Sequence, residues 1–155
     1  MTEILLRHFS ERYPEYHLNA EKISQICTAS SLHDIGKLAI PDEILNKPGR
    51  FTDEEFQIMK GHSAAGAKML DDILHVEDQP VLKYARDICM WHHERYDGRG
   101  YPDGLKGNQI PEMARIIAVA DTYDAMTSNR SYRRAIPQEK VEAEIRRCSG
   151  TQFDP

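Results

Sequence analysis

The 155-residue sequence has no apolar run long enough to cross a bilayer. Its longest such stretch, 116–120, falls far short of the roughly 20 residues that a spanning helix needs. There is no basic-then-apolar leader, so the cytosol is the expected compartment and no membrane is expected in this domain. Cysteines are few: Cys27, Cys89 and Cys148 are odd in number and far apart, which excludes a disulfide framework and a thiolate zinc site and leaves free thiols. A net positive charge is also lacking. The net charge of −5 argues against binding a DNA or RNA polymer, so any positive charge that meets a phosphate must be local, from bound metal ions and a few arginines. No alternating strand pattern, internal repeat, low-complexity tract or linker is found.

What is there suits one globular domain with one core: hydrophobic residues make up 40% and charged residues 29%. The periodicity is helical throughout. A first helix is expected over residues 3–12, ended by Pro14. Asn19 caps a second, which carries Ile23, Ile26 and Leu32 into His33-Asp34 and breaks near Gly36. Pro41 opens a short turn. Thr52 and Glu55 form a capping box for a long helix with Phe56, Met59, His62, Gly66, Met69 and Leu70 along one side. Gly61, Ala64, Ala65 and Gly66 make that helix thin enough for a close neighbour. Asp78 and Pro80 start a helix that ends at His92-His93. A Gly-rich loop follows over 94–110. Pro111 opens an apolar helix to about Ser128, and Pro137 opens the last helix, closing near Gly150. The expected fold is an all-α helical bundle.

Six residues carry the chemistry. His33-Asp34 stands at a helix end, where an isolated pair would be read as a cap. His92-His93 stands at another, where neutral imidazoles suit metal ions and a wet surface pair is the bland alternative. Asp121 lies in Ile116-Ile117-Ala118-Val119-Ala120-Asp121. A carboxylate in such a stretch needs a strong partner, either a metal or an arginine. Asp124 is read as structural. His62 alone would be a satisfied core histidine. Taken together, four imidazoles and two carboxylates with no thiolate exceed what one tetrahedral zinc needs. They fit a two-metal site better, with Asp34 able to bridge. Lys37 is one turn beyond His33, within reach of a substrate phosphate, and Arg130 and Arg133 offer guanidinium forks for phosphate oxygens.

These segments fall in a recognisable order. His33-Asp34-Ile35-Gly36-Lys37, Ile40-Pro41, Ile44-Leu45 and Lys47-Pro48-Gly49 resemble the first half of an HD-GYP domain. The run from His92 to Pro102, including Gly100-Tyr101-Pro102, resembles the half that names that family. Ala120-Asp121-Thr122-Tyr123-Asp124-Ala125-Met126 and Arg130-Ser131-Tyr132-Arg133 resemble its later motifs. The resemblance is strongest over 18–155, within one HD-GYP-type domain spanning 1–155.

The resemblance implies an all-α metal-dependent phosphodiesterase that cuts cyclic di-GMP to a linear dinucleotide, and then to GMP, in bacterial signalling. It implies two or three divalent ions, iron or manganese, on His33, Asp34, His62, His92, His93 and Asp121. Asp34 and Lys37 take catalytic positions, and Lys37, Tyr101, Arg130 and Arg133 take substrate-binding positions. It also implies an upstream sensory or receiver domain, and leaves a homodimer open. One departure is visible. The family's first helix carries a Glu and a His ligand, and here Met1 starts inside that helix, with neither His8 nor His17 in a matching motif. Two rival readings stand beside this one: a phosphohydrolase acting on another nucleotide, and a catalytically silent module that only binds a cyclic dinucleotide.

Overall fold

The computed structural model describes residues 1–73, 79–129 and 134–155. Among these residues the chain is all-helical, with isolated bridges in place of strands. The helices are α1 (Thr2–Arg12), α2 (Ala20–Ser30), α3 (Asp42–Leu45), α4 (Asp53–Asp71), α5 (Pro80–Trp91), α6 (Glu112–Thr127) and α7 (Gln138–Arg147). Short 3-10 turns lie at Pro14–Tyr16, Ile35–Ala39 and Gly107–Gln109. No described helix is long and apolar enough to cross a membrane.

The starts follow from local chemistry. The Asn19 side chain accepts the Lys22 N–H at 2.8 Å. Thr52 and Glu55 exchange hydrogen bonds, Oγ1 accepting Glu55 N–H at 3.3 Å and Oε2 accepting Thr52 N–H at 2.7 Å. Two backbone donors that a helix start would leave unpaired are thereby satisfied. Pro80 occupies the first turn of α5, where its missing N–H costs nothing. Asp78, expected to help start that helix, lies outside the described residues.

The core gathers Leu6 from α1, Ile23, Ile26 and Ala29 from α2, Ala67 and Leu70 from α4, Ala85, Ile88 and Cys89 from α5, and Met113 and Ile117 from α6. Each fully buried Leu or Ile contributes about 1.5–3 kcal/mol relative to exposure. Helix α4 packs on α5 and on the Ile35–Ala39 turn, while α5 also packs on α2 and α6. These contacts bring the turn after α2, the middle of α4 and the end of α5 together.

Three expectations are corrected. First, α2 ends at Ser30, so His33-Asp34 sits in a turn, not on the helix. Beyond the helix end Gly36 lies hard against α4: a Cβ there would come within 1.9 Å of the His62 carbonyl oxygen and 2.4 Å of the Gly66 nitrogen. The backbone of the Ile35–Ala39 turn lies directly on α4. Second, the thin face of α4 is Ser63, Gly66 and Ala67, with His62 and Leu70 beside it. Gly61 and Ala64 are exposed and take no part in the contact. Third, Phe56 is exposed: it lies in the first turns of α4, where nothing in 53–58 is buried.

Candidate metal centre

The site is built from the middle of α4, the turn after α2, the end of α5 and the inner part of α6. His62 is held by α4, with Nδ1 2.7 Å from the Met59 carbonyl. His92 follows α5, with Nδ1 2.9 Å from the Ile88 carbonyl and 3.1 Å from that of Cys89. His33 has Nδ1 2.8 Å from the Ser30 carbonyl. A carbonyl accepts only, so each Nδ1 must carry the proton and donate it. The lone pair of a neutral ring is then on Nε2. In His62 and His92 that Nε2 is buried and has no hydrogen-bond partner.

Those nitrogens face a cluster. One ligand atom each from Asp34, His62, His92 and His93 lie within 4.8 Å of one another. His33 Nε2 is 3.4 Å from Asp34 Oδ2 and 3.6 Å from Asp121 Oδ1, which joins the remaining two residues to the same place. Asp34 presents its oxygens to different rings: Oδ2 toward His33, and Oδ1 3.5 Å from His62 Nε2. That two-sided arrangement is what a bridging carboxylate requires. The two partners that the sequence left open for Asp121 were a metal and an arginine. Among the described residues its carboxylate pairs with His33 and not with an arginine.

The electrostatics divide the imidazoles into two kinds. Burial lowers the His62 pKa, and lowers that of His92 to about 4, with the charge on His33 adding to the effect. Burial and the neighbouring rings of His92 and His62 hold His93 well below its ordinary value. Three neutral donors result. His33 behaves oppositely. Burial pulls it down, but contacts with Asp121 and Asp34 outweigh that and raise it to about 10. Asp34 stays far below the carboxylate range despite burial, held there by His33 and Lys37, and Asp121 is lowered by His33. A proton on His33 thus sits between two carboxylates, where a cation would satisfy them better. The donor set of imidazole nitrogen and carboxylate oxygen suits a divalent metal.

Lys37 Nζ is 2.5 Å from Asp34 Oδ2, at the edge of the cluster. Tyr101 stacks on His93, centroids 4.8 Å apart and planes 29° apart. Asp124 is exposed. Arg130 and Arg133 lie outside the described residues. Neither His8 nor His17 joins the cluster; His8 lines a separate cleft with Phe9, Tyr13 and Glu112.

One residue that the sequence reading passed over is Glu94. It is 3% exposed, and its Oε1 accepts the N–H groups of Asp103 at 2.7 Å and Gly104 at 3.0 Å. The Gly-rich loop is thereby folded back onto the His pair. Gly100 permits the close approach, since a Cβ there would lie 2.5 Å from the Glu94 Cα. The signal was available: a carboxylate directly after His92-His93, with glycines supplying bare amides a few residues on.

The HD domain family model matches residues 10–155. A cyclic di-GMP phosphodiesterase of Thermotoga maritima is 47% identical over 133 residues, covering 86% of this chain and 35% of that protein. The cyclic di-GMP phosphodiesterase response regulator RpfG of Xanthomonas campestris is 43% identical over 138 residues, covering 89% of this chain and 35% of its own length. The 3′3′-cGAMP-specific phosphodiesterase 2 of Vibrio cholerae is 39% identical over 140 residues, covering 90% of this chain and 26% of that protein. The chain therefore spans about a third or less of the curated relatives it matches. With the HD pair, the paired histidines and the Gly-Tyr-Pro loop in their expected order, and a family match over nearly its whole length, the chain belongs to the HD domain family, in its HD-GYP branch.

Proposed function

We propose that this chain is a metal-dependent phosphodiesterase domain that hydrolyses cyclic di-GMP to the linear dinucleotide and then to GMP. His33, Asp34, His62, His92, His93 and Asp121 would hold two divalent ions, iron or manganese, and Asp34, with its two oxygens facing different rings, would be the shared ligand. A third ion would need ligands beyond these six. The observation that carries the reading is the pair of buried, unpartnered Nε2 atoms on His62 and His92, each ring fixed by its other nitrogen. Buried polar atoms cost about 1–3 kcal/mol when left unsatisfied, so this arrangement needs a partner.

Divalent ions held here would supply Lewis-acid polarisation of a phosphate and a water acidic enough to act at neutral pH. The protein's own groups do the rest. Asp34 and Asp121 set the negative field that retains the cations. Lys37, beside Asp34, offsets charge building on the phosphate oxygens, and Arg130 and Arg133 extend that role. Tyr101, stacked on His93, walls the substrate side. The 155 residues act as one unit of a longer cytoplasmic signalling protein, regulated by a sensory or receiver domain. The response-regulator name of the Xanthomonas relative supports that last point.

The test is hydrolysis of cyclic di-GMP by the manganese-loaded or iron-loaded protein, followed by chromatography. Asp34→Asn should lower turnover at least roughly a hundredfold and reduce metal content. Turnover like the unaltered protein's would remove Asp34 from its bridging position. The relatives named for 3′3′-cGAMP favour a second reading, in which that dinucleotide is the substrate, and running both compounds side by side decides between them. Tight binding with no cleavage of either would favour a silent binding module.

A further inference from the structure

Phe56 has 43% of its surface exposed, in the first turns of α4. A single exposed aromatic is ordinary on a protein surface. This one is not placed at random. Its ring meets that of Tyr101 edge-on, centroids 6.3 Å apart and planes 83° apart. Tyr101 in turn stacks on His93 of the candidate metal centre. Three rings therefore lead from the cluster to solvent. Lys60, one turn along α4, puts its Nζ 4.8 Å from the Phe56 centroid and 5.5 Å from that of Tyr101. Among the described residues that ammonium makes no ion pair, so its partners are the two ring faces.

We infer that Phe56 is the surface on which a base of the substrate stacks, with Lys60 as the positioning residue that holds the ring. The inference rests on the phosphodiesterase reading. A phosphate held at the cluster would leave its sugar and base outside it, where Tyr101 stands against His93 and Phe56 against Tyr101. An aromatic face recognises the π-surface of a base and nothing on its edge. Phe56 brings no donor or acceptor. The stack therefore takes guanine and adenine alike, adding affinity without choosing between cyclic di-GMP and a mixed guanine–adenine dinucleotide. That choice must be made by other residues.

The experiment is calorimetric titration of the manganese-loaded chain with GMP, AMP and ribose 5-phosphate. Phe56→Ala should weaken GMP and AMP by the same factor, roughly tenfold, and leave ribose 5-phosphate unchanged. Phe56→Trp should restore both nucleotides. Lys60→Met should weaken both by a smaller factor, again sparing ribose 5-phosphate. Unchanged GMP binding in Phe56→Ala overturns the inference, as does an equal loss for ribose 5-phosphate or a loss confined to one base. A fall in ribose 5-phosphate binding in Lys60→Met would make Lys60 a phosphate contact and overturn its positioning role. Failure of the unaltered protein to bind ribose 5-phosphate would instead refute the phosphate site itself, and the stacking face with it.

Discussion

His33 holds a proton between Asp34 and Asp121, and that fixes how the metal-free protein responds to pH. Its folded pKa of about 10 stands above the ordinary 6.5, so the stability it contributes is complete below pH 6.5 and is lost as pH rises toward 10. The two carboxylates are lowered, so their contribution is present above their ordinary 3.8 and is lost in acid. Urea unfolding in the presence of a chelator should show stability declining from pH 6.5 to 10. His33→Gln should flatten that decline. Metal loading should flatten it too, because a cation displaces the proton, and metal affinity should rise over the same range. An alkaline decline of equal slope in His33→Gln would show that some other group is responsible.

Among the elements, α4 carries the sharpest contrast, because its glycines and that of the facing turn do different things. Gly36 lies against the α4 backbone with no room for a methyl group. Gly36→Ala must push the His33-Asp34 turn off His62, and should cost about 1–3 kcal/mol or more together with a large loss of metal affinity. Gly61 is exposed on the same helix, with nothing within 4 Å of a Cβ. Gly61→Ala should stabilise by about 0.5–1 kcal/mol through helix propensity and leave metal affinity unchanged. Thermal melts with metal titrations of the two variants check this. Equal metal affinity in both would mean that the close approach of turn and helix does not set the ligand geometry.

Across the whole molecule, the C-terminal segment supports the loop that covers the site. The Tyr96 N–H donates to the Gln152 carbonyl at 3.2 Å, and that of Asp97 to the Thr151 carbonyl at 2.8 Å. Arg95 reaches the Gln152 side chain at 3.1 Å and forks onto Asp97. Phe153, 4% exposed, anchors the segment. Phe153→Ala should therefore cost about 3–5 kcal/mol. Amide exchange should quicken at Tyr96 and Asp97 while Ile88 and Leu70 stay protected below the unfolding limit. Unchanged exchange at Tyr96 and Asp97 would show that the loop stands without this brace.

Residue types and spacing were enough for the helical class, the caps at Asn19 and Thr52, and the proline starts, because each depends on neighbours in the chain or on the chemistry of one side chain; they also single out the six residues proposed here as ligands. Periodicity could not tell that α2 stops at Ser30, that Gly66 and not Gly61 forms the thin contact, that Phe56 faces solvent, or that Glu94 draws the loop back. Each of those depends on which element lies opposite, and a helical repeat fixes a face without fixing what covers it. The convergence of His33 and Asp34 with His62, His92, His93 and Asp121 is likewise a property of packing. It follows from how closely the Gly36 turn, α4 and α5 approach one another, and no single segment contains that distance.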